Sequence, residues 1–187
     1  MAQQVDENHY PLDFDETRSL YTPEVCAGTN CYAYALGLSV PAFAAYNPGG
    51  IRYIRDVDGI GRLDSDSIVD GVVSDCEELG LCRVEEADSD GLTMLYYYHK
   101  CDKRQAEYSS DDFHFLRLDR DGSYSNKIGK GQRIFRLDTP SNTLTNISYE
   151  GVHLRYDFIQ CLSFKKKSDI RKRGSTVIDL ASSTSAT

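Results

Sequence analysis

A chain of 187 residues, 40% apolar and 27% charged, has the make-up of one folded domain with a sizeable core, not of a disordered or fibrous protein. Its formal net charge of -8 excludes broad nucleic-acid binding, which calls for a basic surface. No apolar run approaches bilayer length, and the acidic opening "MAQQVDENHYPLDFDE" lacks the basic and apolar regions of a Sec-type signal peptide. The expectation is a cytoplasmic protein, or one exported without such a signal, that does not enter membranes.

The composition predicts an irregular, proline-marked lead-in over residues 1–25, a single domain over 26–164, and a basic segment with a Ser/Thr tail over 165–187. The stretch "GTNCYAYALGL" reads as a short helix opened by Thr29 and Asn30, both good N-cap types, with Cys31 in its first turn and Gly37 as terminator. "PAFAAYNPGG" reads as a loop. Residues 56–90 are strongly acidic, and within them Ile68, Val69, Val72, Val73, Cys76 and Leu79 recur at helical spacing, with Asp66 or Ser67 as cap and Gly80 as end.

Beyond Gly91 the pattern changes to short aromatic and β-branched runs: "TMLYYYHK", "DFHFLRLDR", "SYSNKIGK", "QRIFRLD" and "VHLRYDFIQCLSF". Asp121–Gly122 marks a hairpin between the second and third. Helices first and an antiparallel sheet second is an α+β layout.

Six cysteines, at 26, 31, 76, 82, 101 and 161, include no C-x-x-C pair, so neither a zinc ribbon nor a thioredoxin motif is available and reduced thiols are expected. Three Asp-x-Asp-Gly pieces, at 56–59, 88–91 and 119–122, lack the further oxygen ligands and the Glu of an EF-hand, so no metal and no cofactor is expected. The basic run "FKKKSDIRKRG" reads as a solvated face, and "LYYYHK" as a half-buried strand.

A thiol at a helix start, where N–H groups are unpaired and the helix dipole is positive, has the placement of a nucleophile. A histidine must then serve as base. Of His9, His99, His114 and His153, His114 is singled out because it interrupts an alternating aromatic and aliphatic strand; His153, opening a strand, is the runner-up. Asn126, twelve residues on, is the candidate to orient the ring. It shares the face of His114 only if the intervening turn has odd parity; a two-residue turn places Ser125 or Lys127 there instead.

These residues resemble a papain-like cysteine hydrolase, and within that superfamily the small bacterial amidases and peptidases in which cysteine precedes histidine, such as cell-wall endopeptidases and CHAP-type amidohydrolases. "DFHFLRLDRDGSYSNKIGKG" also resembles a segment of bacterial proteins with an aromatic-Ser-His-Lys turn, in which Asn126 stands at the second histidine position and Tyr124 at the aromatic. The resemblance spans residues 28–138. It implies helices packed on an antiparallel sheet, Cys31 as nucleophile, His114 as base, Asn126 as third member, and an oxyanion hole to which Asn30 or Tyr21 contributes. The implied activity is cleavage, deamidation or transfer at a peptide or other amide substrate, in a cytosolic enzyme or an exported effector or toxin. The alternative from another class is a non-catalytic acidic or immunity-type module whose 56–90 surface masks a basic protein partner.

Overall fold

The computed structural model describes residues 12–38, 47–50, 65–85, 91–100, 111–129, 134–137, 139–149 and 152–173. His9, Cys101, the acidic segment before Ser65 and the Ser/Thr tail lie outside them. Four helices precede most of the sheet: α1 (Phe14–Leu20), α2 (Pro23–Gly28), α3 (Cys31–Ala35) and α4 (Ser65–Glu78). The strands are β1 (Leu81–Val84), β2 (Leu92–His99), β3 (Asp112–Leu118), β4 (Tyr124–Lys127), β5 (Ile134–Leu137), β6 (Thr143–Tyr149) and β7 (Val152–Lys166), followed by α5 (Lys167–Arg173). The architecture is mixed helix and antiparallel sheet, as the sequence pattern predicts. Among the described residues no helix is long and apolar enough to cross a membrane.

The lead-in is more ordered than expected. Asp13 caps α1 by accepting from the amides of Asp15 and Glu16, and Thr22 caps α2 with Pro23 in its first turn. The irregular reading of residues 1–25 is therefore corrected for 14–20 and 23–25. The basic segment is corrected too. Lys165 and Lys166 finish β7, and α5 follows with Ile170 buried.

The seven strands run in the order β1-β7-β2-β3-β4-β5, with β6 also on β7. Asp157 pairs with both Tyr98 and Thr143, and Phe164 with both Leu92 and Arg83, so β6 and β1 share the side of β7 that β2 does not use. Between Tyr96 and Tyr97 the register shifts and Ile159 is the extra residue, a bulge that bends the longest strand.

Side chains alternate across this sheet. On one face Leu92, Met94, Tyr96, Phe113, Phe115, Leu162 and Phe164 form the main core with α3 and with Ile68, Val69, Val72 and Cys76 of α4. On the other, Leu95, Tyr97, Leu116 and Tyr156 form a smaller core, flanked by Leu137 and Leu144. The chain crosses that second face on its way from β5 to β6, and the Tyr97 hydroxyl donates to the Ser141 carbonyl at 2.8 Å.

Of the expected apolar stripe, Ile68, Val69, Val72 and Cys76 are buried in α4, while Val73 and Leu79, the latter just past its end, are half-buried; the helix begins at Ser65, ahead of the expected caps. Gly71 lets α4 meet the 3-10 turn Pro48–Gly50: a Cβ on Gly71 would lie 2.7 Å from the Pro48 carbonyl carbon. Asp75 fastens the same contact, accepting from the Gly49 amide and the Tyr32 hydroxyl, each at 2.8 Å.

Candidate active site

Cys31 is the first residue of α3, and the Asn30 side chain caps the helix by accepting from the Ala33 amide at 2.9 Å. Every residue of this five-residue helix is buried, because the helix lies against the Phe113–Phe115 face of β3, with the Tyr32 ring 5.1 Å from Phe115. Gly37, at φ 71°, ends the turn.

The Cys31 thiol meets the backbone of β3 beside His114. Its Sγ donates to the Phe113 carbonyl at 3.8 Å, and the N–H groups of Phe115 and Tyr32 hydrogen-bond to it. Phe113 and Phe115 present their backbone groups on the edge of β3 that faces β4. The β3–β4 ladder pairs only Arg117 with Ser125 and Leu118 with Tyr124, and the thiol meets β3 beyond the end of that ladder. Burial pushes the thiol up to about 12, and the Asp112 carboxylate adds to the rise; Lys127 and the N–H groups act in the opposite direction.

His114 pairs with Tyr97 across β2 and stands on the second face, its ring 5.8 Å from Tyr156. Its Nε2 bonds to Asn126 Oδ1 at 3.3 Å. Burial pulls the imidazole down to about 4, against the support of the Asn126 bond, so the ring is neutral at neutral pH. With Nε2 donating to an oxygen, Nδ1 is the acceptor nitrogen.

Asn126 reaches this position because the connection Asp119–Ser123 has an odd number of residues. It carries Leu118 opposite Tyr124 and puts Asn126 on the face of His114. Ser125 and Lys127 face α3 instead: Ser125 Oγ accepts from the Tyr34 hydroxyl at 2.8 Å, and Lys127 Nζ donates to the Thr29 carbonyl at 2.5 Å. The turn closes on Gly122, at φ 82°.

Cys31, His114 and Asn126 therefore converge on one stretch of β3, but thiol and imidazole make no hydrogen bond. The thiol approaches from the Phe113–Phe115 face and the imidazole stands on the other. Asn30, expected at an oxyanion hole, caps α3 with its side-chain oxygen, and one of the two N–H groups on its Nδ2 donates to Asn47 Oδ1 at 3.1 Å. The hydroxyl of Tyr21 likewise bonds to the Leu38 carbonyl at 2.9 Å. His99 holds the Arg155 carbonyl through Nδ1 at 2.7 Å, away from the thiol, and His153 lies in β7 opposite Ser148.

Sequence reasoning overlooked the buried charges. Arg117 is fully buried and grips Asp119 through Nε at 2.8 Å and a terminal nitrogen at 2.6 Å. It also reaches the Tyr34 carbonyl and hydroxyl and the Thr17 hydroxyl, each at 3.3 Å, tying α1 and α3 to β3. Lys127 is equally buried. The available signal was parity: both charges share a face with Phe113 and Phe115. Among the described residues no group of three or more His, Cys, Asp or Glu is placed to hold a metal ion. No family model, no curated protein and no solved structure matches this chain.

Proposed function

We propose that this chain is a cysteine-dependent amide hydrolase of papain-like type, acting as peptidase, amidase or deamidase, and held in a closed state. The observation that carries the reading is the position of the Cys31 thiol at the start of α3, bonded to peptide groups on either side of His114, whose ring is in turn held by Asn126. Residues from distant parts of the chain converge on one stretch of β3, and this reading gives them the roles of nucleophile, base and orienting group.

In the reaction, the thiol leaves the Phe113 carbonyl and passes its proton to Nδ1 of His114 as sulfur bonds to the substrate carbonyl carbon. The developing oxyanion is met by backbone N–H groups of the first turn of α3. Collapse breaks the C–N bond, and His114 returns the proton to the leaving amine. Water then attacks the thioester, giving a proton to His114, and the carboxylic acid leaves as the thiol reforms. A neutral thiol beside a neutral imidazole requires this general-base route, and it requires α3 or the His114 ring to move before sulfur and nitrogen touch.

The second reading, an acidic binding module, is favoured by the exposed side of α4. Asp66, Asp70, Glu77 and Glu78 lie there, and the helix carries no basic residue. Labelling by a small alkylating agent, followed by mass spectrometry, separates the two. Cys31 and Cys76 are both buried thiols raised by desolvation. The hydrolase reading expects Cys31 to label at least about tenfold faster than Cys76 and to slow to the Cys76 rate in His114→Ala. Equal rates, unmoved by His114→Ala, end the hydrolase reading and leave the acidic module.

A further inference from the structure

Lys127 is the one fully buried lysine among the described residues, and neither the nucleophile nor the base makes use of it in the reaction above. Its side chain leaves β4 towards α3. The ammonium donates to the Thr29 carbonyl and to the Gly129 carbonyl, each at 2.5 Å. Thr29 directly precedes the N-cap of α3, so this bond ties the end of β4 to the start of the helix that carries the thiol. Among the described residues the charge has no carboxylate partner, for Lys127 takes part in none of the ion pairs found there.

Lys127 interacts electrostatically with Cys26 of α2 and with Cys31 of α3, and each thiolate would favour its charged form against the burial that opposes it. Around Cys31 the opposing groups are few. Asp112 of β3 disfavours its thiolate, while Lys127 of β4 and the N–H groups of Phe115 and Tyr32 favour it. His114, neutral and on the other face, supplies no cation in this state. Among the described residues Lys127 is thus the one full positive charge that acts on the sulfur.

We propose that Lys127 is a positioning residue of the Cys31 site, holding the start of α3 through the Thr29 carbonyl and supplying the counter-charge for the Cys31 thiolate. The bond to the Thr29 carbonyl carries the first role, and the charge that acts on Cys31 carries the second. A buried cation held by two carbonyls keeps its charge in place, where a mobile surface lysine would be screened. The inference deepens the hydrolase reading but stands on different atoms, so the two fail separately.

The test is the pH dependence, from about pH 6 to 10, of Cys31 alkylation by iodoacetamide in the full chain, with Cys76 as internal control. An opposite charge beside a titrating group moves its ionisation by about 1 to 3 pH units. Lys127→Met, which keeps the stem and removes the charge, is expected to slow Cys31 labelling about tenfold or more at pH 8 and to move the profile to higher pH by about one unit or more. Lys127→Arg, which keeps the charge and donors on a bulkier head, is expected to retain more of the rate than Lys127→Met. A profile for Lys127→Met that superimposes on the wild type overturns the proposal, as does equal loss in the Met and Arg variants. If Lys127→Met does not fold, Lys127→Gln, which still donates to the Thr29 carbonyl, is measured in its place with the same expectation. His114→Ala run in parallel separates the readings: a Lys127 effect without a His114 effect keeps the counter-charge and removes the hydrolase, and the reverse does the opposite.

Discussion

His114 gives the sharpest stability prediction. Its imidazole titrates at about 4 in the folded chain against 6.5 for the free ring, because burial excludes the charged form. Above pH 6.5 the ring is neutral in both states and costs nothing. Between pH 6.5 and about 4 the unfolded chain takes up a proton that the folded chain refuses, so stability falls with falling pH across that window and levels below it. At 1.36 kcal/mol per unit the total loss is about 3 kcal/mol, a large part of the ~5–15 kcal/mol typical of a domain. Urea unfolding of the wild type and of His114→Gln, from pH 7.5 down to 4, isolates the effect. Other groups that shift on folding, such as Asp75, raised by burial, and Asp13, lowered by its backbone hydrogen bonds, are common to both chains and cancel in the difference. The wild type is expected to lose about 3 kcal/mol more than the variant over this range. A difference that stays flat with pH would refute the claim that His114 is buried and neutral.

Two more expectations concern packing. Arg117→Met leaves the Asp119 carboxylate buried without its guanidinium, with Oδ2 already lacking a partner, and is expected to cost about 3–5 kcal/mol in urea unfolding. The double variant Arg117→Met/Asp119→Asn should recover part of that loss; a single variant within about 1 kcal/mol of wild type would show that the pair is not buried as described. Gly71→Ala places a Cβ 2.7 Å from the Pro48 carbonyl carbon and is expected to cost about 1–3 kcal/mol, whereas an unchanged or raised unfolding midpoint would mean that the turn Pro48–Gly50 does not lie against α4.

The sequence by itself determined what depends on neighbours along the chain. Ile68, Val69, Val72 and Cys76 repeat at helical spacing and are buried in α4, and Gly37 and Gly80 take the positive φ that ends a helix. Asn30 before Cys31 specifies a capped helix start, and it is one. The aromatic runs after Gly91 became β2 to β5 and β7. β1 and β6 went unread. The first has four residues directly after a helix, and the second, "TLTNISY", carries a mid-strand Asn that weakens the pattern. α1 and α2 were overlooked because their caps, Asp13 and Thr22, stand among prolines and polar residues that also read as loop.

What the chain could not specify locally was which side of a strand each residue would serve. That depends on the parity of the Asp119–Ser123 connection and on where β4 parts from β3, both set by long-range pairing. These put Asn126 beside His114, turned Lys127 and Arg117 into the main core, and brought the Cys31 thiol to the β3 backbone instead of the imidazole. Residue types and spacing can nominate a nucleophile, a base and an orienting amide. Whether sulfur and nitrogen share a face is decided only when strands pair, because a one-residue change in register moves every side chain to the opposite side of the sheet.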